Sequence, residues 1–166
     1  PLTVACVLAF GEPDEGFFPD TLLAQLGAVA RARGCDVAMA RVYYDGRDPA
    51  RDAEISARLT RWLDARQADE PAPVVVNLAS IEYSRVVPRG SLRAKWVDVS
   101  FLEGEGEGAK IISFFAKKAR GLLARHAIAR RARSVKALED FCAEGYALDR
   151  AASGPTQLVF RRPRAG

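Results

Sequence analysis

The chain has 166 residues, 49% hydrophobic, 28% charged and 8% aromatic, with 13 Gly and 9 Pro, a profile of one compact domain that excludes disorder, collagen and coiled coil. At this length roughly two thirds of the unfolded surface can be buried, so a core forms without disulfides or a structural metal. Cys6, Cys35 and Cys142 are far apart and odd in number, and His126 is the single histidine. A secreted disulfide scaffold and a Cys/His metal site are both disfavoured, and nothing specifies a metal or an organic cofactor.

The net charge of +4 is unevenly spread. Residues 1–109 carry 12 Lys+Arg against 17 Asp+Glu, residues 110–138 carry nine basic residues and no acidic one, and the last 28 balance at four against four. A basic block inside a folded domain reads either as a face for an anionic partner or as a solvated helix surface.

Along the chain, residues 2–10 (LTVACVLAF) are apolar on both faces, as in a buried central strand. They are too short to cross a bilayer and follow no basic segment, so the expectation is a cytoplasmic protein without a membrane partner. After GEPDEGFFPD, Asp20 and Thr21 offer N-caps to a helix running to about Arg33, with Leu22, Leu23, Leu26 and Val29 on one stripe and Gly34 as its stop. A strand over 36–44, the turn DGRDP, a helix over about 50–66 and a strand over 74–79 complete a β-α-β-α-β order, which favours a parallel sheet.

Residues 94–102 and 110–115 are expected as strands joined by EGEGEG in a hairpin, followed by a helix from Ala116 to about Arg133 and another capped by Ser134 and ending near Gly145. A strand over 156–162 closes the chain, paired beside a segment around 146–148. The fold class is therefore α+β: a single domain with a mixed, largely parallel central sheet flanked by helices, plus a β-hairpin.

Two constellations carry candidate chemistry. On a wheel of about 100° per residue, Arg120, Arg131, Ala124, Ile128 and Gly121 lie within about 60° of Lys117. Small residues between cations let a phosphate approach while Lys and Arg reach around it. Phe115, Ala119, Leu122 and Ala129 form the expected core side, with His126 among them as a packed or hydrogen-bonded structural histidine. The second constellation is NLASIEYSR, which sets Asn77, Ser80, Glu82 and Tyr83 at the carboxyl edge of a strand, where open α/β sheets bind ligands. Glu82 or Tyr83 there offers an acid or base, and a Glu beside Lys117 would form the perturbed pair active sites favour. The alternative is a turn whose Asn and Ser bond backbone. EGEGEG has the wrong charge and spacing for a phosphate cradle.

VVVNLASIEYSRVV, KIISFFAKKARGLLARHAI, FCAEGYALD and TQLVFRR resemble, in order and spacing, the C-terminal half of the YaaA family of peroxide-stress resistance proteins. The family's NLAS element matches Asn77, Leu78, Ala79 and Ser80 with Glu82 and Tyr83. Its KxARG core matches Lys117, Ala119, Arg120 and Gly121, and an EGY-like element matches Glu144, Gly145 and Tyr146. The resemblance covers about 74–162, with a weaker continuation back to Ala53, so 1–52 is read as a diverged N-terminal β-α-β region and 53–166 as the YaaA-like region. SPAK, GDVYxGL, LSGLYGLLRP and YRLEMG, which family members carry in their N-terminal half, are not found in 1–52. The resemblance implies a cytoplasmic bacterial protein of the peroxide response, an α/β fold with a positively charged cleft, and binding to duplex or distorted DNA.

Three functions follow as expectations. The first is a DNA- or polyanion-binding stress protein using Lys117, Lys118, Arg120, Gly121, Arg125 and Arg131; the only aromatics beside these cations are Phe114 and Phe115, so stacking on single strands is weakly supported. The second is a small enzyme for an anionic or nucleotide-like metabolite, with Glu82, Tyr83 and Lys117 catalytic and Asn77, Ser80, Arg120, Glu144 and Tyr146 around the pocket. The third is an interaction subunit whose acidic and basic segments meet across a homodimer.

Overall fold

The computed structural model describes residues 3–8, 28, 32, 36–41, 49–66, 74–80, 84, 87 and 89–164. Strand β1 (Thr3–Leu8) and β2 (Asp36–Arg41) are followed by α1 (Pro49–Arg66), β3 (Val74–Asn77), β4 (Lys95–Glu103), α2 (Ser113–Arg130), β5 (Ala147–Leu148) and β6 (Gln157–Arg162). Pro49 opens α1 at the position where a missing N–H costs nothing. The helix expected over 20–33 lies outside the described residues, apart from Ala28 and Ala32, which are helical.

The strands form one six-stranded sheet in the order β2-β1-β3-β4-β6-β5. All neighbours are parallel except β5 with β6, so the α+β class and the mixed, largely parallel sheet hold. The chain leaves β1 for β2 on one side and then adds β3 on the other, so the carboxyl ends of β1 and β3 flank a topological switch point.

The expected hairpin is corrected. Its first arm is β4, but its second shrinks to one antiparallel bridge between Glu103 and Lys110, and 113–115 already belong to α2. The antiparallel pair of the sheet is β5–β6 instead. Residues expected as a helix after Ser134 form only a 3-10 turn over Val135–Leu138, and Ser134 makes no side-chain cap.

Burial alternates along β4, sending Val97, Val99, Phe101 and Glu103 to one face. There Val97, Val99 and Phe101 join Ala116, Ala119, Leu123 and Ala127 of α2 with Leu138, Phe141, Tyr146, Leu158 and Phe160 in one cluster. Phe101 stacks on Phe160 at 5.4 Å and meets Tyr146 edge-on at 5.3 Å, geometries that suit the aromatic quadrupole. The buried side of α2 is thus rotated from the expected one. Ala119 is shared, Phe115 and Leu122 are half-buried, and Ala129 is exposed. Three alanines let the helix lie close to the sheet, where larger side chains would hold it off.

Candidate nucleic-acid interface and carboxyl-edge cluster

Rotating the core side also rotates the exposed side. Phe114, Lys117, Lys118, Gly121 and Arg125 are all exposed, the last four following Phe114 by three, four, seven and eleven residues, so that all five share one helix face. They occupy the side of α2 opposite Ala119 and Leu123. Lys118 is paired with Glu144 at 2.9 Å, whereas Lys117 and Arg125 have no ion pair among the described residues. Arg120 is half-buried at the border of the core side. Arg131 follows the helix in a left-handed conformation at φ 50 and caps it, its N–H donating to the Ala127 and Ile128 carbonyls. Of the expected anion-binding residues, Lys117, Lys118, Gly121 and Arg125 therefore share a surface, while Arg120 and Arg131 stand at its border and its end.

Arg130 and His126 both engage Asp140, at 3.2 and 2.9 Å. The His126 ring meets Phe141 edge-on, which bears out its reading as a packed, hydrogen-bonded histidine.

At the carboxyl end of β3, Asn77 is buried; its side-chain Nδ2 donates to Asp98 at 2.8 Å and its Oδ1 accepts the Ala79 N–H at 2.9 Å. Asp98, its register partner on β4, also accepts from Trp96 Nε1 and Arg89 at 2.9 and 2.6 Å. The Arg89 guanidinium lies 5.1 Å from the Trp96 ring centroid and 3.4 Å from the buried Ser84 hydroxyl. Val76 and Val97 face α2, so the alternation puts Asn77 and Asp98 on the other face of the sheet. The described residues thus do not bring Asn77 together with Lys117. Ser80 is half-buried and its carbonyl accepts the Ser84 N–H at 3.0 Å; Glu82 and Tyr83 lie outside the described residues.

Glu144 and Tyr146 belong to a second cluster, at the carboxyl ends of β4 and β6. Glu103 and Arg162, the last register pair of that ladder, form a buried ion pair at 3.0 Å. Tyr146, fully buried, donates to the same Glu103 oxygen at 3.3 Å. Burial, and next to it the Glu103 carboxylate, push the Tyr146 phenol above its ordinary value against the opposing pull of Arg162. The Arg162 guanidinium lies 4.1 Å from the Phe115 ring centroid and 4.9 Å from that of Tyr146, and it donates to the Glu144 carbonyl at 3.3 Å. Glu144 and Gly145 both have positive φ, 54 and 78, closing a two-residue turn between Ala143 and Tyr146.

Glu103 and Arg162 were not among the expected site residues. Their signal is a charge at an inward position of an otherwise apolar strand, which requires a partner. Beside them, Arg161 bonds Asp149 at 2.8 Å and the Gly104 carbonyl at 3.1 Å. Among the described residues no group of three or more His, Cys, Asp or Glu could hold a metal ion, and no helix is long and apolar enough to cross a membrane.

Residues 53–152 match the family model of the peroxide stress protein YaaA, beginning where the sequence resemblance begins and including Asn77, Lys117, Gly121, Glu144 and Tyr146. The chain is similar to a UPF0246 protein of Leptothrix cholodnii, 56% identical over 101 residues, which are 61% of this chain and 39% of the relative. A UPF0246 protein of Methylibium petroleiphilum is 52% identical over 105 residues, 63% of this chain and 41% of that one. One from Bordetella pertussis is 48% identical over 107 residues, with shares of 64% and 42%. The match thus spans about two fifths of the length of these curated relatives.

Proposed function

The chain belongs to the family of the peroxide stress protein YaaA, and from that premise we propose that it binds duplex or distorted DNA through the exposed face of α2 and so helps protect cytoplasmic DNA from peroxide damage. One observation carries this reading: Lys117, Gly121 and Arg125 form an exposed stripe with no ion pair to Lys117 or Arg125 among the described residues, in a segment without an acidic residue from 110 to 138. Lysine and arginine on a rigid helix neutralise phosphates without reading sequence, and Gly121 leaves room for the backbone to come close, since a Cβ there would meet nothing within 4 Å. The bound DNA is expected to be recognised by charge and shape.

Fluorescence anisotropy of a labelled plain duplex, titrated with the protein from about 50 to 200 mM salt, tests this. Binding should fall steeply with salt. Lys117→Ala/Arg125→Ala, which removes two phosphate contacts, should weaken it and reduce the log–log salt slope by about 1.8. No binding at the lowest salt, or an unchanged slope in the double variant, sinks the reading.

A second reading, an enzyme or carrier for an anionic or nucleotide-like metabolite, draws on the sheet order. Ser80 follows β3 at the switch point, where doubly wound sheets hold ligands. Glu82 or Tyr83, next after Ser80 and Ile81 in the sequence, would supply the acid or base, with Asn77 bracing the strand end. Nucleotide-induced thermal stabilisation that disappears in Glu82→Gln, in a protein that ignores DNA, would favour it.

A further inference from the structure

We infer that Phe114 is a base-stacking residue, which the first turn of α2 presents to unpaired or unstacked bases of DNA while the cations further along the same face hold the phosphates. Phe114 is 73% exposed, and Ile111 and Ile112 just before it are 44% and 36% exposed. Large apolar side chains left together in water mark a contact surface more often than chance exposure. This surface is continuous with the cationic face: Lys117 and Lys118 follow Phe114 by three and four residues, Gly121 by seven and Arg125 by eleven. From Phe114 to Arg125 the stripe is about 16 Å long, enough for two or three successive phosphates of one strand beside one stacked base.

On one side the aromatic has a fixed neighbour. Its ring meets Phe115 edge-on at 5.4 Å, Phe115 lies under the Arg162 guanidinium, and Arg162 is fixed by the buried Glu103. Charge selects the occupant. An apolar tip continuing into a stripe of cations complements a ligand with a π-face and a chain of negative charges, which describes a nucleic-acid strand whose bases are open. In a fully paired duplex the base faces are hidden, so the phenyl ring adds nothing unless the stack is already broken or wedged open.

The inference rests on the DNA reading above, and the experiment separates the two. The full chain is titrated into a plain duplex and into the same duplex carrying an unpaired bubble labelled with 2-aminopurine, for the wild type, Phe114→Ala, Phe114→Leu and Phe114→Trp. The wild type should bind the bubble more tightly than the duplex and change the 2-aminopurine emission. Phe114→Ala and Phe114→Leu should lose about tenfold on the bubble and stay within about twofold on the duplex, while Phe114→Trp keeps bubble binding and the emission change. Phe114 is exposed, so all four proteins should melt alike. Equal binding of the bubble by wild type and Phe114→Ala overturns the stacking role but leaves the DNA reading standing. Absence of any DNA binding by the wild type overturns both. Two other results also overturn the inference: Phe114→Ala abolishing binding to phosphatidylglycerol vesicles with DNA binding unchanged, or abolishing a dimer in sedimentation velocity with the same DNA affinities.

Discussion

Arg162 meets Glu103 at 3.0 Å on the last rung of the β4–β6 ladder, with the two side chains only 12% and 5% exposed. Taking both charges out of water is costly, and their attraction offsets that cost only with further hydrogen bonds to both groups. Tyr146 supplies one to Glu103 and the Glu144 carbonyl one to Arg162, while the Phe115 and Tyr146 rings flank the guanidinium. Removing one partner strands the other. Arg162→Ala should lower the unfolding free energy in urea by about 3 kcal/mol or more, whereas Glu103→Leu/Arg162→Met should recover most of that loss. If the double variant is as unstable as the single, the pair itself is a net stabiliser.

Glu144 makes the opposite case, of a side chain in a conformation it does not favour. Its φ of 54 suits glycine or asparagine, and left-handed backbone costs other residues about 1–2 kcal/mol. Against this it gains an exposed ion pair with Lys118, of a kind worth at most about 1 kcal/mol. Glu144→Gly should therefore leave thermal stability unchanged or raise it slightly, although glycine also loosens the unfolded chain. A marked drop in melting temperature would mean that the carboxylate contributes more than its exposed pairing with Lys118 suggests.

These two positions differ in how far the sequence announces them. Glu144-Gly145 reads as a turn, and β3, β4, β6 and α1 follow from apolar runs and breakers within a few residues of their ends. The run Ile111 to Phe115 misleads because β-branched and aromatic residues suit a strand, and a short apolar run carries no period of its own. What decides it is burial further on, where Ala116, Ala119, Leu123 and Ala127 recur at helical spacing. The same alanines explain the misplaced core side of α2, since a wheel weighted by hydrophobicity favours Phe115 and Leu122 over them. Glu103 and Arg162 are 59 residues apart, and only the parallel register of β4 with β6 makes them neighbours. The exposed face of α2 is legible only in part: Lys117 and Gly121 lie on the expected arc, but the rotated core side sets Lys118 and Arg125 beside them and leaves Arg120 half-buried.

Tyr146 ties the buried pair to alkaline pH. Its phenol is raised above the ordinary value near 10, by burial first and by Glu103 next. The folded form thus holds its proton more tightly than the unfolded form does. Stability from this group is fully present below the unfolded pKa and is lost as pH rises through the folded one. Tyr146→Phe removes a hydrogen bond and should cost about 1 kcal/mol at pH 7. Above about pH 10 the gap between the two proteins should narrow, because the variant has no buried phenol to ionise. Denaturant midpoints at pH 7, 9, 10 and 11 check this; a gap that stays constant removes Tyr146 from the alkaline limb.

Asp149 acts at the other end of the scale. One carboxylate oxygen accepts Arg161 Nε at 2.8 Å and the other the Ala151 and Ala152 N–H groups, each at 3.1 Å. The Arg161 hydrogen bond first, then that from Ala152, hold its carboxyl below the usual value near 4. A depressed folded pKa means that its stabilisation is present above the unfolded pKa and drains away as pH falls through the folded one. Asp149→Asn keeps an oxygen for the two N–H groups but loses the charge facing Arg161. The variant should therefore be less stable than the wild type by a constant amount from about pH 5 to 8, and the difference should shrink below about pH 4 as the wild-type carboxyl protonates. Urea midpoints from pH 2.5 to 7 measure it, and curves that stay parallel through the acid range would assign the acid sensitivity to other carboxylates.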